Sequence, residues 1–192
     1  MEKHVVVIAG PTGSGKDSVI KELIKRYPGV FEFAANATTR APREGEVDGV
    51  NYHFITNEKF KEELAKGNIP EHYHRPETDT YYGTYAPDIE ARIASGKIVC
   101  SQIQIVGAKY LKEKYGATTI FIMPSHMDEF ERRVRERAPM SDAEWGERMQ
   151  HTKREIEEDA PWYDYRVTNE EGKLTETVDQ VVEILKKEGY VF

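Results

Sequence analysis

The chain has 192 residues, 39% hydrophobic and 32% charged, with a net charge of -7, which is the size and balance of one globular domain that needs no staple to fold and is no disordered tail. That acidity excludes a protein that coats nucleic acid or anionic membrane through its global field, leaving anion binding to local basic clusters. A single cysteine, Cys100, excludes a disulfide framework and suits a reducing cytoplasm, no apolar run approaches the roughly 20 residues of a membrane span, and the apolar start after His4 is too short for a signal peptide.

Val5–Ala9 is a continuous apolar run, as expected for a strand covered on both faces. Residues 16–27 follow with Val19, Ile20, Leu23 and Ile24 at helical spacing, and Pro28-Gly29 stops that helix. Residues 38–84 are rich in turn formers and aromatics, with a helical pattern only over 57–66, which predicts a small lobe inserted beside the sheet. Beyond it, helices are predicted over 87–94, 106–115, 126–137, 143–158 and 175–187, and strands over 98–105, 118–123 and 165–168. On the helix at 126–137, Met127, Phe130 and Val134 form the apolar stripe, and residues 138–142 read as a mobile connector. The alternation predicts an α/β fold with a mostly parallel sheet between helical layers.

Gly10-Pro11-Thr12-Gly13-Ser14-Gly15-Lys16 lies between the first strand and the first helix. Glycines there let backbone N–H groups turn inward around phosphate oxygens, the helix N-terminus adds a positive dipole end, and Lys16 reaches the β- and γ-phosphates of a nucleotide. The alternative is a Gly-rich turn that binds nothing. The residue after the lysine is ordinarily Ser or Thr, whose hydroxyl binds Mg²⁺, but here it is Asp17. An acid in a first helical turn gains only about 0.3–1 kcal/mol, little against the repulsion of bare phosphates. Asp17 is therefore expected to ligate Mg²⁺ directly. Ser18, one helical step of about 100° further round, is no simple substitute for the missing hydroxyl, although it belongs to the segment expected to bind ATP.

Thr38-Thr39-Arg40-Ala41-Pro42-Arg43-Glu44-Gly45-Glu46 sets two arginines around a proline, and Tyr52-His53-Phe54, Glu71 and Tyr81-Tyr82-Gly83-Thr84 follow. Singly, these are a basic turn, aromatic core residues and a surface acid. Together, in this order after a phosphate loop, they resemble guanylate kinase, from about Val5 to the end of the chain. The resemblance implies one domain over 1–192, with a three-layer P-loop core (1–35, 85–125 and 159–192), a GMP-binding lobe (36–84) and a helical lid (126–158). It implies that Arg40, Arg43, Tyr52 and Tyr82 hold the phosphate of GMP, a role two guanidinium forks and two phenols suit. It also implies that Glu71 accepts hydrogen bonds from guanine N1–H and N2–H₂, a donor pair adenine lacks. Asn36 and Thr84 fall where small polar groups lie near guanine O6, and Asn169 where the donor's adenine is contacted. Arg133, Arg137 and Arg148 match lid arginines that act with Lys16 on the transferring phosphoryl group. A solvated charged face is the plainer reading of any one of those arginines.

Two departures stand out. The family's strand ends Asp-x-Asp where this chain has Gln102-Ile103-Gln104. If the strand continues, both glutamines share a face, and the missing carboxylate has in effect moved to Asp17, while Gln104 keeps the place of a GMP contact. Residues 72–80 are longer than the usual link, and they read as a surface loop rather than a strand presenting His72 and His74 to a metal. The expected activity is phosphoryl transfer from MgATP to GMP or dGMP by a cytoplasmic monomer or homodimer that binds neither nucleic acid nor membrane. The run Gly-Pro-x-Gly-Ser-Gly-Lys-Asp-Ser also resembles ribose 1,5-bisphosphate phosphokinase, so a sugar-phosphate kinase is one alternative, and a non-catalytic guanylate-kinase-like binding module is another.

Overall fold

The computed structural model describes residues 3–137 and 141–192, with the side chains of Glu129 and Arg137 outside the description. The first half of the chain forms β1 (Val5–Ala9), α1 (Lys16–Arg26), β2 (Phe31–Phe33), β3 (Asn36–Thr38), β4 (Tyr52–Phe54), α2 (Asn57–Ala65), β5 (His72–Arg75), β6 (Thr80–Gly83) and α3 (Ala86–Ala94). Then come β7 (Ile98–Ser101), α4 (Ile105–Tyr115), β8 (Thr118–Pro124), α5 (Met127–Arg137), α6 (Asp142–Arg154), β9 (Tyr165–Asn169) and α7 (Leu174–Lys187). No helix among the described residues is long and apolar enough to cross a membrane.

The core is an α/β sandwich around a parallel five-stranded sheet, ordered β2-β7-β1-β8-β9. Alternation along β1 explains its three layers. Val6 and Ile8 point to one face, against Val19, Ile20 and Leu23 of α1 and Val178, Val181 and Leu185 of α7. Val5, Val7 and Ala9 point to the other, against Ile89 of α3, Ala108 and Leu111 of α4, and Tyr163. Cys100 on β7 is fully buried, and that burial pushes its thiol up to about 12.

A second sheet, ordered β4-β3-β6-β5, is built entirely from residues 36–83. Its strands are three or four residues long, too short for a periodic signal, and only the helix of this lobe is legible in the sequence. Thr38 and Thr39 stitch it: the Thr38 hydroxyl donates to Tyr81 O at 3.0 Å, and Tyr81 N–H donates to Thr39 Oγ1 at 2.9 Å. The face carrying Ala37, His72, His74 and Tyr81 packs on α2 through Phe60, and the His74 ring stacks on Tyr81 at 4.2 Å. Residues 72–80 are thus not a surface loop. They are β5, a 3₁₀ turn (Pro76–Thr78) and the start of β6, with His74 Nε2 bonded to Asp79 at 2.9 Å. Among the described residues no group of three His, Cys, Asp or Glu could hold a metal ion.

Asp88 of α3 fastens the lobe to the core. Its carboxylate accepts from Ala35 N–H at 3.0 Å and from Arg92 Nε at 2.6 Å, and it meets His53 Nε2 at 2.9 Å. Arg92 also reaches Glu32 at 2.7 Å and Gly49 O at 3.2 Å. Burial pushes the Asp88 carboxyl up, but these donors outweigh it and hold it below the usual carboxylate range.

Three further expectations are corrected. β7 ends at Ser101, and Gln104 is already the N-cap of α4, so Gln102 and Gln104 do not share a strand face; the chain must leave the sheet here to begin that helix. The helix expected over 143–158 is α-helical only to Arg154 and then widens into a π turn, Glu155–Asp159. On α5, Phe130 and Val134 are buried, but Met127 is 40% exposed, a turn short of the packed surface. The connector predicted at 138–142 falls largely outside the described residues.

Candidate active site

The loop after β1 emerges at the C-terminal edge of the parallel sheet, where the ends of β1, β7 and β8 leave a crevice. It is folded on itself by Ser14 N–H donating to Pro11 O at 3.0 Å. Gly15, at φ +89°, is the N-cap of α1, and a Cβ there would sit 2.2 Å from Asn169 Nδ2. No side chain caps α1, so its first N–H groups stay available to an anion. Gly13, at φ +103°, lies under α5: a Cβ would come within 2.5 Å of Val134 Cγ2. Lys16 Nζ rests on Pro11 O at 3.4 Å, a long bond that a phosphate oxygen would improve on.

Asn169 braces this loop. Its amide donates to Ser14 O at 2.8 Å and accepts from the Thr177 hydroxyl at 3.1 Å. The side chain is buried, and it is not among the residues lining the three cavities described below.

A cavity of about 360 Å³ opens beside the loop, lined by Thr12, Lys16, Gln102, Gln104, His151 and Glu155 among others. Glu155 and His151 are functional candidates the sequence reading missed. His151 Nδ1 lies 3.4 Å from Glu155 Oε2. Burial raises the Glu155 carboxyl, while the charges of His151 and Lys16 oppose the rise. The available signal was the acidic run at 155–159 following a helix whose last turn is basic (His151, Lys153 and Arg154), and π turns of this kind are frequent at functional sites. Arg154 of α6 reaches the same cavity and pairs with Glu158 at 3.0 Å. Arg133 and Arg148 do not line it, and the Arg137 side chain lies outside the described residues.

A second cavity, about 270 Å³, lies against the open face of the lobe sheet and holds Asn36, Tyr52, Glu71, Tyr82, Thr84 and Gln104 together. Burial raises the Glu71 carboxyl above its usual range, offset in part by the Thr84 hydroxyl, which donates to it at 3.2 Å. Gly107, in the first turn of α4, makes room for that carboxylate: a Cβ would lie 3.1 Å from Glu71 Oε2 and 2.2 Å from Ile103 Cδ1.

Arg40 does not line this cavity; it is held by a two-pronged bond to Glu46 at 2.8 and 2.9 Å and lies 5.5 Å from the ring centre of Tyr52, which does. Glu46 raises the Arg40 guanidinium, with a smaller contribution from Tyr82, and Arg40 together with the Arg43 N–H holds Glu46 down at about 2. The Arg43 side chain is exposed beside them.

A third cavity, about 420 Å³, runs between α1 and the lobe and includes Asp17, Ile20, Glu46, Tyr52 and Gln102. Gln102 borders all three cavities, at the point where they meet. The Asp17 carboxylate has no hydrogen-bond or ion-pair partner among the described residues, which fits a group waiting for a ligand. A lone carboxylate supplemented by nucleotide phosphates and water is also the donor set Mg²⁺ ordinarily takes.

The family model described as guanylate kinase matches residues 2–188. Guanylate kinase of Prochlorococcus marinus subsp. pastoris is 36% identical over 185 residues, covering 96% of this chain and 97% of that relative. Guanylate kinase of Trichormus variabilis is 36% identical over 168 residues, 87% of this chain and 82% of the relative. Among solved structures, guanylate kinase from Anaplasma phagocytophilum superposes with a TM-score of 0.70 at 26% identity, covering 98% of this chain and 87% of that one.

Proposed function

The chain belongs to the guanylate kinase family and catalyses the ATP-dependent phosphorylation of GMP, and we propose the following division of labour among its residues. The observation that carries it is the adjacency of two hollows, the Lys16 cavity and the Glu71 cavity, which share Gln102, Ile103 and Gln104 as a common wall. A donor phosphate chain in the first and an acceptor phosphate in the second would meet across that wall.

Residues 10–18, through those backbone N–H groups that the loop leaves free (Pro11 has none), and the Lys16 ammonium hold the donor phosphates, while Asn169 braces the loop. Arg40, Arg43, Tyr52 and Tyr82 hold the acceptor phosphate. Glu71 reads the guanine N1–H and N2–H₂, with Asn36, Thr84 and Gln104 around the base. The attacking oxygen belongs to an already ionised phosphate, so no general base is needed, and catalysis consists of positioning and charge stabilisation. The lobe (36–84) and the lid (126–158) close on both substrates, bringing Arg133, Arg137 and Arg148 over the transferring group and excluding water. Asp17 would hold Mg²⁺, which when bound neutralises charge on the donor phosphates.

A coupled ADP-release assay with MgATP and GMP, dGMP, AMP, UMP or ribose 1,5-bisphosphate tests the reading. Turnover is expected with GMP and dGMP and not with the others. Turnover on the sugar phosphate alone, or silence on every acceptor, would refute it.

Asp17 and Gln102 line the same third cavity, and the proposed exchange of a carboxylate between the two positions has its own test. Asp17→Ser is expected to raise the Mg²⁺ concentration for half-maximal rate by about tenfold and to cut turnover similarly, while Asp17→Ser with Gln102→Asp recovers most of both. Coupling of the two sites by about 1–3 kcal/mol is the expected size. Strictly additive effects would show that the carboxylates are not interchangeable.

A further inference from the structure

β5 does more than close the lobe sheet. Because strand side chains alternate, Glu71, Tyr73 and Arg75 project to one face while His72 and His74 project to the other. Tyr73 lies directly opposite Tyr82, so both rings belong to the face that forms the second cavity. Tyr73 and Arg75 line that cavity with Glu71 and Tyr82. Tyr73 is 49% exposed, and no other ring of the described residues stacks on it. The Arg75 guanidinium has no hydrogen-bond or ion-pair partner among the described residues. Arg40, which follows β3 on the other side of the lobe sheet and does not line this cavity, already has two of its nitrogens engaged by Glu46.

An uncommitted guanidinium on a phenol-lined wall is a fork awaiting an anion, and an unstacked ring beside it is a platform for a purine. We propose that Tyr73 and Arg75 are further acceptor-binding residues: Arg75 pairs with the nucleotide monophosphate's phosphate from the side opposite Arg40, and Tyr73 packs on its base. The inference rests on the acceptor-site reading above and extends it to β5. Arg75 thereby supplies a cation that does not compete with Glu46, in a site where Glu46 draws on Arg40.

Calorimetric binding of GMP and of guanosine, with steady-state kinetics on GMP, separates the two claims. Arg75→Ala is expected to weaken GMP about tenfold, raise KM for GMP to match, leave kcat within about twofold and leave guanosine affinity unchanged, because guanosine lacks the phosphate. Arg75→Lys should recover part of the loss. Tyr73→Ala is expected to weaken GMP and guanosine alike by about fivefold, and Tyr73→Phe to restore both. Unchanged GMP affinity in Arg75→Ala, or equal losses for GMP and guanosine in that variant, would overturn the phosphate assignment. Unchanged affinities in Tyr73→Ala would overturn the stacking assignment. Failure of the unaltered protein to bind GMP would instead overturn the acceptor-site reading itself.

Discussion

Lys16→Ala is expected to lower kcat about a thousandfold while leaving GMP affinity within about twofold and the far-ultraviolet spectrum unchanged. The size follows from removing one preorganised positive group from a site whose chemistry is charge stabilisation. The selectivity follows from position. Lys16 lines the loop-side cavity and not the one that holds Glu71 and Tyr82. The bond from its ammonium to Pro11 O, at 3.4 Å, is long, and its loss costs the loop little. Single-turnover phosphoryl transfer at saturating nucleotides measures the effect. A loss confined to KM for ATP would mean that the ammonium binds the donor equally in ground and transition states.

Glu71→Gln is expected to cut kcat/KM for GMP by about 10²- to 10⁴-fold, since an amide oxygen can accept from guanine but its NH₂ group meets donors where two acceptors are needed. The same substitution should leave the unliganded protein at least as stable as before. Burial raises the Glu71 carboxyl, so the ionised group is a cost to the folded state above that raised value, and the neutral amide removes the cost. The sign carries over to pH. The ionised form is the one that accepts both guanine bonds, so GMP affinity is present above the raised value and lost as pH falls through it, at a milder acidity than an ordinary glutamate would require. KM for GMP against pH, compared between the unaltered enzyme and Glu71→Gln, shows this: the acid limb is expected to vanish in the variant. Persistence of the same limb would assign it to another group.

The parts of the molecule that sequence alone made legible are those whose chemistry is local. The phosphate loop is one, because glycines, lysine, strand and helix occupy adjacent positions and each constrains the next. β1 is another, because five buried apolar residues in a row have few other uses. The lobe sheet was opaque for a physical reason. β5 and β6, His-Tyr-His-Arg and Thr-Tyr-Tyr-Gly, carry rings on both faces, one set packing on Phe60 and the other walling a cavity, so no polar–apolar alternation marks them as strands.

Gln102-Ile103-Gln104 misled in the opposite direction. Its alternation imitates a strand, yet the chain is turning there to start α4, and hydrogen-bond partners far away in sequence decide where the sheet stops. Glu155 was invisible because its neighbour in space, Lys16, is about 140 residues away. Tyr73 and Arg75 could be placed on the cavity face only once the register of β5 against β6 was known.

The lone thiol of β7 turns the chain into its own stopwatch. Alkylating reagents attack thiolate, and Cys100 is both sealed between the sheet's neighbours and kept protonated by that enclosure. Modification therefore has to wait for the central strands to part, and the pace of a mass increase under excess reagent counts those excursions in a population that is otherwise native. With no second cysteine to blur the count, the interval lengthened by each nucleotide, alone and then together, would reveal how far occupancy of one hollow steadies the other.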